Sequence, residues 1–398
     1  MKSVINPLAY LDDELREMKA RGLFRWPRLL TGPQAPVAVY DGREVINLCS
    51  NNYLDLANHP RLKEAARRAI DDLGVGPGAV RTIAGNMAIH RELEAELARF
   101  KRTEATLLFQ SGFTANAGTV SAVLGKEDII VSDELNHASI IDGGRLSKAT
   151  RKIYRHKDLN HCEEILKQSQ NGSGRKLLIT DGVFSMEGDI APLPRLCELA
   201  EKYGCIMMVD DAHASGVLGR GGRGTVDHFG MHGRVDIQVG TLSKAIGAIG
   251  GYVCGSRDLI ELLTHRARPF LFSTSHPPSV TATCQAAFAL LDSPAGEKLI
   301  RKLWRNTKFF KRGLKRAGFN TGESETPITP ILVGEAARAH EFSRELFQEG
   351  VFAQGIGYPT VPEGKARIRT IVTATHTRKD LEGALEILDR VARRLRIL

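Results

Sequence analysis

From residue 105 to residue 254 the chain alternates short apolar runs with helical stretches, and nothing else in it constrains the fold as strongly. Residues 105–110, 128–132, 176–180, 205–210, 237–241 and 251–254 read as strands. Residues 113–124, 138–149 and 195–203 read as helices between them. Such alternation predicts an α/β domain around a mainly parallel sheet. Ligands of these sheets sit at the carboxyl ends of the strands. Asp210, Thr241 and Lys244 fall near such ends, as do Ser111 and Asp181.

On either side the texture changes. Residues 7–23 read as an amphipathic helix, and residues 37–48 as a short hairpin turned at Asp41-Gly42. Beyond residue 257, helical patterns run over 277–291 and 297–317. Short strands follow at 328–333 and 366–373, and a helix closes the chain over 379–395. Three units are expected: an N-terminal helix-and-hairpin segment over 1–54, a large ligand-binding α/β domain over 55–285, and a smaller α+β domain over 286–398. The 398 residues suffice for several substantial cores.

Hydrophobic residues make up 42% and charged residues 25%, as in ordinary soluble enzymes. The net charge of +9 raises the question of nucleic acid. The basic residues, however, are scattered along helical stretches among apolar positions, as on solvated helix faces, so no nucleic-acid partner is expected. A positive field also suits an anionic substrate. Six cysteines are widely spaced with no C-x-x-C, which fits neither a zinc site nor a disulfide framework and favours a reducing cytosol. No signal peptide or membrane span is read, so a cytoplasmic protein is expected.

The chemistry-bearing residues cluster in a few segments. Val209-Asp210-Asp211-Ala212-His213 offers a carboxylate and an imidazole, and Gly240-Thr241-Leu242-Ser243-Lys244 offers a lysine, each at an apparent strand end. Together they suit pyridoxal 5'-phosphate (PLP): a lysine for the aldehyde and an acid for the ring nitrogen. Asp210, Asp211 and His213 could also ligate a metal, but no partner at ligand spacing accompanies them, so no metal is expected. Gln110-Ser111-Gly112-Phe113 turns a strand into a helix, either as a phosphate cradle or as an ordinary cap. His137 opens another helix, as a capping residue or as a ring stacked over an aromatic cofactor.

Arg367 and Arg369 alternate on one strand and share a face; with Asn51-Asn52-Tyr53 they offer carboxylate recognition or surface ion pairing. Gly74-Val75-Gly76-Pro77-Gly78 follows a helical pattern, which excludes a dinucleotide fingerprint and leaves a loop lining a site. The Arg220-Gly221-Gly222 tract is single and short, and reads as a turn.

These segments, with Ser50 to Leu54, Val80 to Gly85, Ser132 to Asp142, Thr180 to Met186 and Arg268 to Ser275, resemble the α-oxoamine synthases, fold-type I PLP enzymes. The resemblance covers nearly the whole chain. It implies a homodimer with shared active sites and a condensation of a small amino acid with an acyl-CoA. Lys244 would bind PLP as a Schiff base and Asp210 would pair with the ring nitrogen. His213 and Ser185 would bond the ring oxygen, and His137 would stack on the ring. Gly112, Phe113 and Thr241 would hold the phosphate, with Ser273 and Thr274 reaching the neighbouring subunit's cofactor. Asn51 and Arg369, with His137, would bind the substrate.

Of the branches, the segments look most like glycine C-acetyltransferase, which condenses glycine with acetyl-CoA to 2-amino-3-oxobutanoate in threonine degradation. The alternatives are the 8-amino-7-oxononanoate synthases of biotin synthesis, which use alanine and a pimeloyl thioester and decarboxylate the product, and a synthase of broad specificity. Gly112 and Thr274 depart from the first branch, which often carries cysteine and asparagine there, and look like the second.

Overall fold

The computed structural model describes all residues except 1–5, 21–23, 25, 171 and 173. Its centre is a seven-stranded sheet. In spatial order the strands are Ala105–Phe109, Gly251–Gly255, Ile237–Thr241, Ile206–Asp210, Lys176–Asp181, Ile129–Asp133 and Thr150–Tyr154. All pairings from Ile237–Thr241 to Thr150–Tyr154 are parallel, and Gly251–Gly255 alone runs antiparallel to its neighbours. The expected α/β architecture with a mainly parallel sheet therefore holds.

The central strands are apolar on both faces because helices cover both. Leu177, Ile179 and Met208 pack into one apolar cluster; Leu178, Met207 and Val209, offset by one residue, pack into the other. The expectation missed the edge strand Thr150–Tyr154 and ran the preceding helix to residue 149, whereas that helix spans Ala138–Leu146. The strand carries Arg151 and Lys152 and is half exposed, so it lacks the apolar run that marks its neighbours; charged edge strands also resist pairing with other chains.

Two three-stranded sheets complete the fold. One joins Val37–Tyr40 and Arg43–Asn47 to Val351–Phe352, and the other orders Ile328–Gly334, Ala366–Ile371 and Gln354–Ile356. The hairpin turns at Asp41-Gly42 with φ of 48° and 76°, both in the left-handed region that a two-residue turn requires. An apolar cluster including Leu48, Phe310, Ile368 and Leu388 lies under the C-terminal helices Pro294–Ala317 and Arg378–Arg394. We propose that the chain divides near residue 285 into a large and a small unit. The helix Pro278–Leu291 runs through that position and joins them. The N-terminal helix spans Tyr10–Ala20, and the remainder of its expected range, residues 21–23, lies outside the described residues. Among the described residues no helix is long and apolar enough to cross a membrane.

Candidate active site

Two adjoining cavities open at the carboxyl ends of the parallel strands. The first, about 230 Å³, is bordered by Gly112, Phe113, His137, Ser185, Asp210, His213, Thr241 and Lys244, with Asp181 and Ser139. The second, about 680 Å³, shares His137, Ser185, His213 and Lys244 and adds Asn51, Arg369 and the loop 358–362. Of the site residues expected from sequence, only Ser273 and Thr274 border neither. Thr274 pairs with Val80 in an isolated bridge, and its carbonyl accepts from Gln110 Nε2 at 2.8 Å. The 74–78 segment borders neither cavity; Gly74 ends the helix Pro60–Leu73 with φ 81°, so its glycines serve a turn.

At the phosphate-sized end, Ser111 caps the helix Gly112–Val123: its hydroxyl accepts from Thr114 N at 3.1 Å, and Thr114 Oγ1 accepts from Ser111 N at 3.0 Å. Gly112 and Phe113 of the first turn border the same cavity as Thr241 and Ser243, whose hydroxyls lie 2.7 Å apart. A Cβ at Gly112 would stand 3.2 Å from Thr241 Cβ, so glycine keeps this cradle open.

Asp210 ends its strand opposite Asp181, in register on the next strand. Asp210 accepts from Asn116 Nδ2 at 2.6 Å and from Ala212 N at 2.8 Å. Asn116 spends its other hydrogen on Ser139 Oγ at 2.9 Å, and that hydroxyl lies 2.7 Å from His137 Nδ1. Ser139 N also donates to Nδ1, at 3.2 Å. The carboxylate fixes the amide orientation, since a flipped Asn116 would present oxygen to oxygen. Ser139 therefore donates to Nδ1, and the neutral His137 ring carries its proton on Nε2. His137 is both cap and cavity wall, so the two readings of it were never exclusive.

Burial holds Lys244 at about 8, below the usual lysine value, although the charges of Asp210 and Asp181 pull it back up. Burial also lowers His213 well below the usual histidine range and lowers His137. Asp181 is raised well above the usual carboxyl range, by burial and then by the Asp210 charge. His213 Nδ1 shares a 2.7 Å hydrogen bond with the Tyr53 hydroxyl. Arg369 donates from Nε to Ser185 O at 2.6 Å and from Nη2 to Asn51 Oδ1 at 3.2 Å, while Arg367 pairs with Glu187 at 2.8 Å. The two arginines thus both brace the 185–187 segment, Arg367 buried and Arg369 half-buried at the cavity wall.

Asp211 turns away from the cavity. It pairs with Lys101 at 2.7 Å, both side chains fully buried, and also accepts from Thr225 N at 3.1 Å. Lys101 donates as well to Arg223 O at 2.6 Å. The glycine-rich tract wraps this pair: a Cβ at Gly224 would lie 2.0 Å from Asp211 Oδ2. Lys101→Met strands a buried carboxylate and is expected to cost about 3–5 kcal/mol of stability. Urea unfolding measures it, and a loss near zero would show that the pair is dispensable.

The donor set fits PLP: a helix N-terminus with hydroxyls for phosphate, a partly deprotonated lysine for the aldehyde, and an acid held by two N–H donors for the ring nitrogen. Sequence reading placed Asp181 at a strand end without a role, and gave none to Asn116 or Ser139. They meet only through folding; the signal available was that each sits within a segment already singled out.

Fold and site together define a fold-type I PLP-dependent transferase. Residues 43–388 match the model of the family Aminotransferase class I and II. The 8-amino-7-oxononanoate synthase of Thermoanaerobacter pseudethanolicus is 59% identical over 396 residues, covering 100% of both chains. That of Symbiobacterium thermophilum is 56% identical over 389 residues, 98% of this chain and 99% of the relative. Among solved structures, serine palmitoyltransferase from S. paucimobilis with PLP–myriocin bound superposes with a TM-score of 0.93 at 28% identity, over 100% of both chains. The chain belongs to the aminotransferase class I and II family, in its α-oxoamine synthase group, and its cofactor is PLP.

The relatives correct one expectation. The glycine C-acetyltransferase assignment, and threonine degradation with it, is overturned by full-length relatives at 52–59% identity that are 8-amino-7-oxononanoate synthases. The residues that perform the shared chemistry do not discriminate the branches. Gly112, pressed against Thr241, was one of the two positions that did.

Proposed function

We propose that the chain is an 8-amino-7-oxononanoate synthase, joining L-alanine to a pimeloyl thioester with loss of carbon dioxide and release of the thiol. The 59% identity over the full length of both chains carries this reading. When bound, PLP supplies an electron sink for the substrate's α-carbon.

In this reading Lys244 anchors the cofactor and then, as a free amine, takes the Cα proton; its value of about 8 suits a base working near neutrality. Asp210 holds a proton on the ring nitrogen, and Asn116 and Ala212 hold Asp210. Ser185 and His213 bond the ring oxygen, and Gly112, Phe113 and Thr241 hold the phosphate. His137 stacks on the ring and presents Nε2–H to the substrate. Arg369, oriented by Asn51 and Ser185 O, would clamp the substrate carboxylate and so fix the orientation of the substrate's α-carbon in the cavity. The loop 358–362 and Leu135, Ile141 and Met186 form an apolar wall for the acyl chain.

Ser273 and Thr274 complete the site of a second copy. Ile83 and Phe272, 83% and 68% exposed, flank the Val80–Thr274 bridge and leave apolar surface for that copy to cover. A thiol-release assay crossing alanine, glycine and serine with pimeloyl-, acetyl- and palmitoyl-CoA tests the substrate. Turnover is expected to peak with alanine and pimeloyl-CoA, and turnover confined to another pair overturns the reading. Sedimentation should find the active species dimeric, and full activity in a monomer contradicts the shared site.

A further inference from the structure

Outside the cavities, one titratable cluster ties together loops that border them. His156 follows the edge strand Thr150–Tyr154 and is 20% exposed. Its Nδ1 lies 3.0 Å from Asp133 Oδ1 and its Nε2 lies 3.0 Å from Asp189 Oδ2. The ring stands edge-on to Phe184, with centroids 4.4 Å apart at 87°. Both partners are carboxylate oxygens, with 1% and 5% side-chain exposure. Ionised carboxylates only accept, so satisfying both requires two ring N–H groups and therefore an imidazolium.

The surrounding charges agree. Asp133 also accepts from Leu135 N and Lys157 N, each at 2.9 Å. Asp189 accepts from Lys157 Nζ at 2.9 Å, and Lys157 lies 3.8 Å from Glu325. Glu134 accepts the His156 backbone N–H at 2.8 Å, while Arg155 is turned to Asp158 at 2.7 Å. Four carboxylates, those of Asp133, Glu134, Asp189 and Glu325, thus face His156 and Lys157. Burial alone would lower His156, but its bonds to Asp133 and Asp189 outweigh this and raise it to about 9.

Asp133 and Asp189 each stand at the start or the end of a loop of the site. Asp133 starts the turn that ends at His137, whose N–H is held by Asp181 at 3.0 Å. Asp189 closes the loop 183–190 through Phe184 N–H to its carbonyl at 3.1 Å and the Val183–Ile190 bridge. That loop carries Ser185, whose carbonyl orients Arg369, and Met186, whose carbonyl accepts from Arg367 at 2.9 Å.

We propose that His156, as an imidazolium between Asp133 and Asp189, is a positioning residue that locks the His137 loop to the loop orienting Arg369 and loosens both when it loses its proton. The inference rests on the substrate roles given to His137 and Arg369 above. A free histidine titrates at 6.5 and His156 at about 9. The clamp's contribution to stability is therefore complete below pH 6.5 and is lost as pH rises through about 9.

Two measurements on the PLP-loaded protein test it. In ¹⁵N-histidine-labelled enzyme, with the signal assigned from H156Q, both His156 ring nitrogens should be protonated at neutral pH and titrate near 9. A neutral ring at neutral pH overturns the proposal whatever the substrate proves to be. In H156Q, KM for the amino acid should rise roughly tenfold, about the worth of one charge-assisted hydrogen bond, with kcat nearly unchanged. If H156Q does not fold, D189N serves: the histidine signal that titrates near 9 should move down, and the same KM should rise. A loss confined to kcat, or an unchanged KM with a normal titration, overturns the positioning role. A protonated clamp with a KM change on a different amino acid would instead fault the substrate assignment alone.

Discussion

Lys244→Ala is expected to lower turnover roughly 10⁴-fold, because in the role proposed for it the substitution removes both the covalent anchor and the Cα base. The absorption band of lysine-bound cofactor should vanish while the helix N-terminus at Gly112 and the Thr241 hydroxyl still bind PLP through its phosphate. Retention of the band would remove Lys244 from its role. The same lysine predicts a pH dependence. Attack on the aldehyde needs the neutral amine, and burial holds Lys244 at about 8. Cofactor uptake by PLP-free protein should therefore accelerate with pH up to about 8 and level off above it. Stopped-flow absorbance measures this. A plateau reached only near the ordinary lysine value of 10.5 would show that burial does not activate the amine.

Asp210→Asn is the second large effect. In the role proposed for it, its carboxylate would hold the proton on the ring nitrogen, so turnover should fall by about 10²–10⁴-fold with PLP still bound. The charge change also has a sign that can be checked. Asp210 is the strongest influence raising Lys244, so its loss should move the uptake profile below pH 8. The same substitution should bring Asp181 back down, since the Asp210 charge is second only to burial in raising it. Shifts of uptake and turnover in these directions tie the three residues into one electrostatic unit. An unshifted uptake profile would uncouple them.

The parts of the fold legible in sequence were those set by local pattern. Ile206–Asp210 is almost wholly buried and reads as a strand from its apolar run Ile-Met-Met-Val; the Asp41-Gly42 turn reads from its residue types. Thr150–Tyr154 was missed because an edge strand exposes its charges and loses that pattern. Of the site, Lys244, Asp210, His137, His213 and Arg369 could be picked out because each stands where a strand ends, a helix begins or a strand alternates. Asn116 and Ser139 lie within helices or at their starts, in positions that packing alone would explain. What made them part of the site is contact across 94 and 23 residues of chain.

The branch assignment went wrong for a related reason. Activating an amino-acid α-carbon needs the same lysine, acid and carboxylate clamp whatever acyl group arrives. In the proposed function the acyl group would meet Leu135, Ile141, Met186 and the loop 358–362, side chains brought together from three separate stretches. No local spacing encodes that surface.

By itself, then, the sequence determined the α/β class and pointed to PLP and to residues that line the two cavities, because secondary-structure period and strand-end placement are local properties. Only the tertiary structure decided that Asp181 and Asp210 stand in register beside a lysine at about 8, that Asn116 and Ser139 set the His137 tautomer, and that His156 bridges two loops. Those depend on burial and on charges meeting across the sheet, and both exist only once distant segments have packed.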